Sequence, residues 1–209
     1  MQSRMDSAVK EMVVAGYPEN VEEDLYVGLG LDPGNRYPLL YWACRVGLFE
    51  LVQALHTQRG ADLKRTFGEE GGFLELTCAG YGLQDNRIKI LEYLQEAGEF
   101  EIRDGGRQVF INCIAGGLCL VIKTLVETLG LDPNDEDLLF EFNCLHYACV
   151  NCHTDIVEYF VEQCGMSVLE QVEGRDAHAF TLLTSPSEKQ TELLAYLEER
   201  AEIERDARR

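Results

Sequence analysis

Five stretches of the chain repeat one arrangement of apolar positions. They are Leu51-Val52 with Leu55, Ile90-Leu91 with Leu94, Val121-Ile122 with Leu125, Ile156-Val157 with Phe160, and Leu193-Leu194 with Leu197. An adjacent pair followed three residues later by a third side chain falls on one stripe of an α-helix. Each stretch therefore predicts an amphipathic helix with one buried face. Ahead of four of them lies a shorter run containing small residues: Leu39 to Cys44, Phe73 to Cys78, Phe110 to Ile114 and Leu145 to Cys149. Short helices with small side chains suit units that must approach one another closely. Glycines predict the stops of the longer helices at Gly30, Gly60, Gly98, Gly130 and Gly165, with Ala201 in the sixth place. Gly68 to Gly72 and Asp104 to Gly106 read as exposed turns between units, and an insertion around Tyr81 to Asp85 falls at a turn inside one unit.

The helix pairs recur with a measurable period. Leu29-Gly-Leu-Asp-Pro33 returns as Leu129-Gly-Leu-Asp-Pro133, one hundred residues on, which is three periods of about 33. Phasing the stops to that period divides the chain into units 1–33, 34–66, 67–103, 104–137, 138–173 and 174–209. The first is polar and degenerate, and the last has Pro186 in its turn, as expected of end units that face water. The charged tail from Glu198 to Arg209 is expected to fray or to continue as a solvated helix.

These units resemble ankyrin repeats. The best agreement runs from Cys144-Leu145-His146-Tyr147-Ala148-Cys149 through Asn151, His153 and Ile156-Val157 to Gly165. A second runs from Leu40 through Ala43, Gly47 and Leu51-Val52 to Gly60-Ala61-Asp62. The resemblance implies an all-α fold over 1–209: a single-domain solenoid of stacked helix-turn-helix pairs joined by short fingers. The family's opening Thr-Pro is replaced by Pro38-Leu39 and Asn143-Cys144, which leaves the hydrogen bonding at those helix starts open. Arg59, Leu129 and Cys164 are extra residues ahead of the stop glycine.

Composition narrows the partners. With 46% hydrophobic and 26% charged residues the chain can bury a real core. Thirty-seven acids against eighteen bases leave a formal charge of −19, which repels phosphate backbones and favours a basic protein segment. Direct nucleic-acid binding is therefore not expected. No apolar run approaches the roughly 18 residues of a membrane span, and Met1 to Ser7 lead into charged residues rather than a signal-peptide core. The expected setting is cytoplasmic or nuclear, not secreted and not membrane-bound. Most of the eight cysteines stand beside apolar or small residues, as packing thiols do in a reducing compartment.

One cluster invites a chemical reading. Cys149-Val-Asn-Cys152-His153 has the C-x-x-C-H spacing of haem attachment, and Cys149, Cys152 and His153 are candidate zinc ligands with His146 or Cys113 as a fourth. Repeat positions account for the same residues: Cys149 in a small-residue place, Cys152 at the turn glycine and His153 at the turn histidine. A zinc or thiol sensor stays as an alternative. No nucleophile stands with an oriented base, and no phosphate-cradling loop follows a strand. Neither an enzyme nor a cofactor is expected.

The resemblance also implies where a partner would lie: on the fingers and on the exposed ends of the short helices. Those ends are Arg45 and Val46, Ala79, Ala115, then Val150 and Asn151, with Trp42 and Tyr147 half-buried beside them. One finger, Asp132 to Glu141, sets Asp135, Glu136, Asp137 and Glu141 beside Leu138, Leu139 and Phe140; another holds Phe67 with Glu69 and Glu70. Acids would steer encounter with a basic, partly hydrophobic segment while the apolar groups supply dry contact. The expected role is a non-catalytic protein–protein interaction module, an adaptor or a subunit of a larger assembly. It would act as a monomer or within a hetero-complex, through an acidic concave face. The alternative binding role is an inhibitor that masks a basic localisation or nucleic-acid-binding segment.

Overall fold

The computed structural model describes residues 39–67, 71–80, 83–97, 106–135 and 142–209. All regular elements among these residues are helical: α1 (Leu39–Val46), α2 (Phe49–Arg59), α3 (Phe73–Ala79), α4 (Gln84–Glu96), α5 (Gly106–Ala115), α6 (Cys119–Glu127), α7 (Cys144–Val150), α8 (Thr154–Glu162), α9 (Ala177–Thr181) and α10 (Glu188–Ala207). The five apolar stripes fall on the even-numbered helices, and the small-residue runs fall on the odd-numbered ones. The chain divides into two compact units, Met1–Glu101 and Ile102–Arg209.

In the first unit, α1 packs on α2 and on α3, while α4 packs on α2 and α3. Leu40, Ala43, Cys44, Leu51, Val52, Leu55, Leu76, Ile90 and Leu94 form its core. In the second unit α5, α7 and α9 lie side by side as one layer, and α6, α8 and α10 form the other. Val109, Phe110, Ile114, Ile122, Leu145, Val157, Phe160 and Phe180 are fully enclosed between the layers. Burying a side chain of this size is worth about 1.5–3 kcal/mol, so the stripes rather than intrinsic helix propensity hold these short helices.

Three backbone devices recur with the period. After α1, α5 and α7, amides reach back to close the last turn: Leu48 N–H to Ala43 O (2.8 Å), Leu118 N–H to Cys113 O (2.9 Å) and His153 N–H to Ala148 O (3.2 Å). The residue before each is left-handed, Gly47 at φ 79°, Gly117 at 64° and Cys152 at 52°. After α2, α6 and α8 the glycines Gly60, Gly130 and Gly165 are left-handed too. Asp62, Asp132 and Ser167 then accept from the amides of Lys64 (2.9 Å), Asn134 (2.9 Å) and Leu169 (3.2 Å), turning the chain into each finger. A tyrosine ladder ties successive outer helices. Tyr93 Oη pairs with His56 Nδ1 at 2.7 Å, Tyr159 Oη donates to Glu127 at 3.1 Å and Tyr196 Oη donates to Glu162 at 3.4 Å.

Cys152 is the one non-glycine in the first series of left-handed residues, and a Cβ there costs about 1–2 kcal/mol. Glycine loses roughly half of that gain to its freer unfolded chain. Cys152→Gly is therefore expected to raise stability by about 0.5 kcal/mol, seen as a higher urea midpoint with an unchanged slope.

Two expectations need correction. Ala201 does not stop a helix: it is buried inside α10, which runs unbroken to Ala207. The finger holds the tail there, because Glu204 accepts from Ser167 Oγ at 2.5 Å and from Val168 N–H at 3.0 Å. Asp85 is not part of the turn insertion but lies in the first turn of α4. Tyr81 lies outside the described residues.

Candidate functional site

The fingers and the ends of the short helices are positioned by the devices just described. In the second unit the turns after α5, α7 and α9 lie against one another. A Cβ on Gly117 would come within 2.9 Å of His153 Cε1, and Cys152 Sγ lies 3.3 Å from Thr184 Oγ1. Along this row Ala115 is exposed and Val150 and Asn151 are half-buried, with the Asn151 amide donating to Tyr147 O at 2.8 Å. The row ends in Leu182 and Leu183, both exposed. Residues 115–118, 150–153 and 182–186 contain no Asp, Glu, Lys or Arg. Reading the last unit in register with Val150-Asn151 would have singled out the leucine pair. The short α9 and its polar neighbours conceal that register.

In the first unit Arg45 and Val46 are half-buried at the end of α1, and Arg45 Nη1 donates to Tyr41 Oη at 2.7 Å. Phe67 is packed edge-on against Tyr41 (5.1 Å between ring centres) and Phe73 (5.2 Å), with the Arg65 guanidinium over its ring. Much of Phe67 therefore belongs to the core. Glu69 and Glu70 lie outside the described residues, as do Glu136, Asp137, Phe140 and Glu141 with Leu138 and Leu139. Of the described finger residues in the second unit, Asp132, Asp135, Glu170 and Glu173 are exposed, beside exposed Arg175. Val172 and Arg175 exchange backbone bonds across a tight turn that carries Glu173 at its tip.

The Cys/His cluster is spread over different surroundings. Cys149 is fully enclosed, and burial pushes its thiol up to about 12, against a contact with Thr181. Burial acts likewise on Cys44 and Cys144, each raised to about 12, so none of the three is a thiolate near neutral pH. Cys152 is half-buried at Thr184 and His153 lies on Gly117. Among the described residues no three His, Cys, Asp or Glu side chains are grouped to hold a metal ion. All eight cysteines are free thiols.

Asn143 settles how α7 begins. Its side chain accepts from His146 N–H at 2.9 Å, taking the place of the family's threonine. The His146 ring is buried against Phe180 and sits 3.2 Å from the Glu170 carbonyl through Nε2. A carbonyl only accepts, so Nε2 carries the proton and Nδ1, which has no partner among the described residues, is bare. Burial pushes His146 below its ordinary value, opposed by the Glu170 carbonyl. The unfolded chain thus binds a proton more readily than the folded one. This contribution to stability is complete above about pH 6.5 and is lost as pH falls through the window below it. Urea unfolding at pH 7.5 and pH 5.5 should show the lower midpoint at the acidic value. A flat profile would show that His146 titrates normally.

The helix pair α7–α8, with the finger on either side of it, decides the comparison with known proteins. A family model matches residues 140–170. The match is to the ankyrin repeat. It covers the segment on which the resemblance was strongest in sequence, and the all-helical pairs agree with an ankyrin-type helical repeat. No curated protein matches the chain in sequence. Ankyrin repeats are typically non-catalytic modules that bind other proteins, and the match over 140–170 suggests a module of that kind. No described helix is long and apolar enough to cross a membrane.

Proposed function

We propose that the chain is a non-catalytic adaptor or complex subunit that takes a basic, partly hydrophobic segment of another protein. The segment lies along its fingers and over the ends of its short helices, in a cytoplasmic or nuclear setting. The supporting observation is the placement of charge in the second unit. Exposed Asp132, Asp135, Glu170 and Glu173 stand on the fingers, whereas the turns at the other end of the short helices carry no charge. A seven-residue helix separates these two ends by about 10 Å, the width of one peptide segment. Basic groups would meet the fingers, and apolar groups would meet Val150 and Leu183. Asp135, Glu136, Asp137 and Glu141 would attract, Phe140 would add apolar contact, and Asn151 would offer polar contact. In the first unit Glu69 and Glu70 would attract, Val46 and the exposed part of Phe67 would add apolar contact, and Arg45 would pair with an acceptor of the segment.

Charge reversal tests this reading. The triple variant Asp135→Lys, Glu136→Lys, Asp137→Lys should bind an oligolysine-containing peptide at least tenfold more weakly, with an unchanged melting temperature. Affinity of the unaltered chain should fall steeply between low and high salt. Equal affinity in the variant, or binding indifferent to salt, would remove the fingers from the interface.

A further inference from the structure

Within the second unit each helix pair except the last has a following pair laid against it. Helix α7 covers α5 and α9 covers α7, while α8 lies on α6 and α10 on α8. The corresponding face of the last pair, α9 and α10, holds a cleft of about 260 Å³ whose floor includes Val168, Leu197 and Ala201. Leu194, half-buried, extends the α10 part of that floor at the three-then-four spacing of a helix-packing stripe. On α9's side the Leu182 amide bonds His178 O at 3.2 Å, which places Leu182 one turn along from a residue of the cleft. Leu182 is 56% exposed. The rim is acidic: Asp176, Glu198 and Glu202 stand around it against Arg205, and His178 Nε2 lies 3.4 Å from Glu198.

We propose that this end face docks an amphipathic α-helix of another protein. The apolar side of that helix would cover Leu182, Leu194 and the cleft floor, and lysines or arginines at its edges would meet Asp176, Glu198 and Glu202. Two observations select this occupant. The face continues the helix-on-helix packing that the preceding pairs make within the unit. Its charge favours a basic helix, since Asp176, Glu198 and Glu202 outnumber Arg205 on the rim and a second copy would set most of these carboxylates against one another. The site adjoins the surface proposed above at Leu182 and at the finger before α9, but it does not use Asp135, so Asp135→Lys separates the two.

A synthetic Lys/Leu peptide of about 18 residues, patterned to form an amphipathic helix, is the probe. A permuted peptide of identical composition without that pattern is its control. Fluorescence anisotropy should show the patterned peptide binding at least tenfold more tightly than the permuted one. Leu182→Glu and Glu202→Lys should each cost at least tenfold, while Asp135→Lys on the finger leaves the affinity within twofold. Leu182 and Glu202 are exposed, so both variants should melt within a few degrees of the parent chain. Binding that tolerates both end-face variants overturns the proposal. If Asp135→Lys alone reduces binding, the peptide sits on the fingers, which supports the proposed function and overturns the end-face site. A dimer in sedimentation that Leu182→Glu dissolves also overturns it, because the occupant is then a second copy.

Discussion

Replacing Phe180 by alanine is expected to destabilise the second unit by about 3–5 kcal/mol, the usual cost of emptying an aromatic site in a core. Phe180 is fully enclosed in the short helix α9, which has only five residues. A helix of that length has little stability of its own, so its position depends on what its side chains fill. The ring meets Phe142 edge-on at 4.9 Å between centres and His146 at 4.7 Å, both from the preceding repeat. Removing it empties the space between two repeats and leaves the His146 ring without the face that keeps it dry. Local collapse is opposed by the bonds that pin α9 at both ends. Asp176 accepts from Ala179 N–H at 2.9 Å, and the Gln190 side chain donates to the carbonyls of Thr181 and Thr184 at 3.1 Å each. Helix-band circular dichroism in urea should show the loss, and amide exchange should place it in residues 142–209. A cost below about 1 kcal/mol would mean that α9 is not a packing element of the stack.

The periodic part of this architecture is legible in the sequence because it is enforced locally. A stripe of Ile156, Val157 and Phe160 can be buried only as a helix, and Gly60, Gly130 and Gly165 mark backbone positions where a Cβ is penalised. What was not legible depends on contacts between distant residues. Ala201 resembles a stop in the phased series, but Glu204 reaching Ser167 and Val168 extends the helix past it. Phe67 resembles a finger hydrophobe, yet Tyr41 and Phe73 draw it into the core. The C-x-x-C-H group is legible as a motif, but the surroundings of its members are not: burial of Cys149 and the left-handed turn at Cys152 come from repeat geometry. The exposed pair Leu182-Leu183 was missed for the opposite reason. Apolar residues at a helix end look like core until the structure shows that nothing in the described chain covers them.

The second large effect is expected at Arg87, where methionine should destabilise the first unit by about 2–3 kcal/mol. Four residues, 80–83, separate α3 from α4 in the chain, against two between α1 and α2. This connection begins where backbones crowd: a Cβ on Gly80 would clash with the Arg45 carbonyl oxygen at the end of α1. The last carbonyls of α3 therefore need a donor from elsewhere. Arg87, buried in the first turn of α4, supplies it, with Nη1 donating to Cys78 O at 3.2 Å and Nη2 donating to Gly80 O. A guanidinium in this position also suits the negative end of a helix. Methionine preserves the length and apolar stem of the side chain but leaves both carbonyls without these donors, so the loss reports the hydrogen bonds rather than packing. Trp42 is the only tryptophan and lies in this unit, which makes its fluorescence in urea the direct measurement. Arg87→Lys should recover no more than half of the loss, since an ammonium cannot span the two carbonyls as the planar fork does. If Arg87→Met unfolds at the parent midpoint, the bonds to Cys78 and Gly80 do not hold the turn, and the close approach at Gly80 alone must fix it.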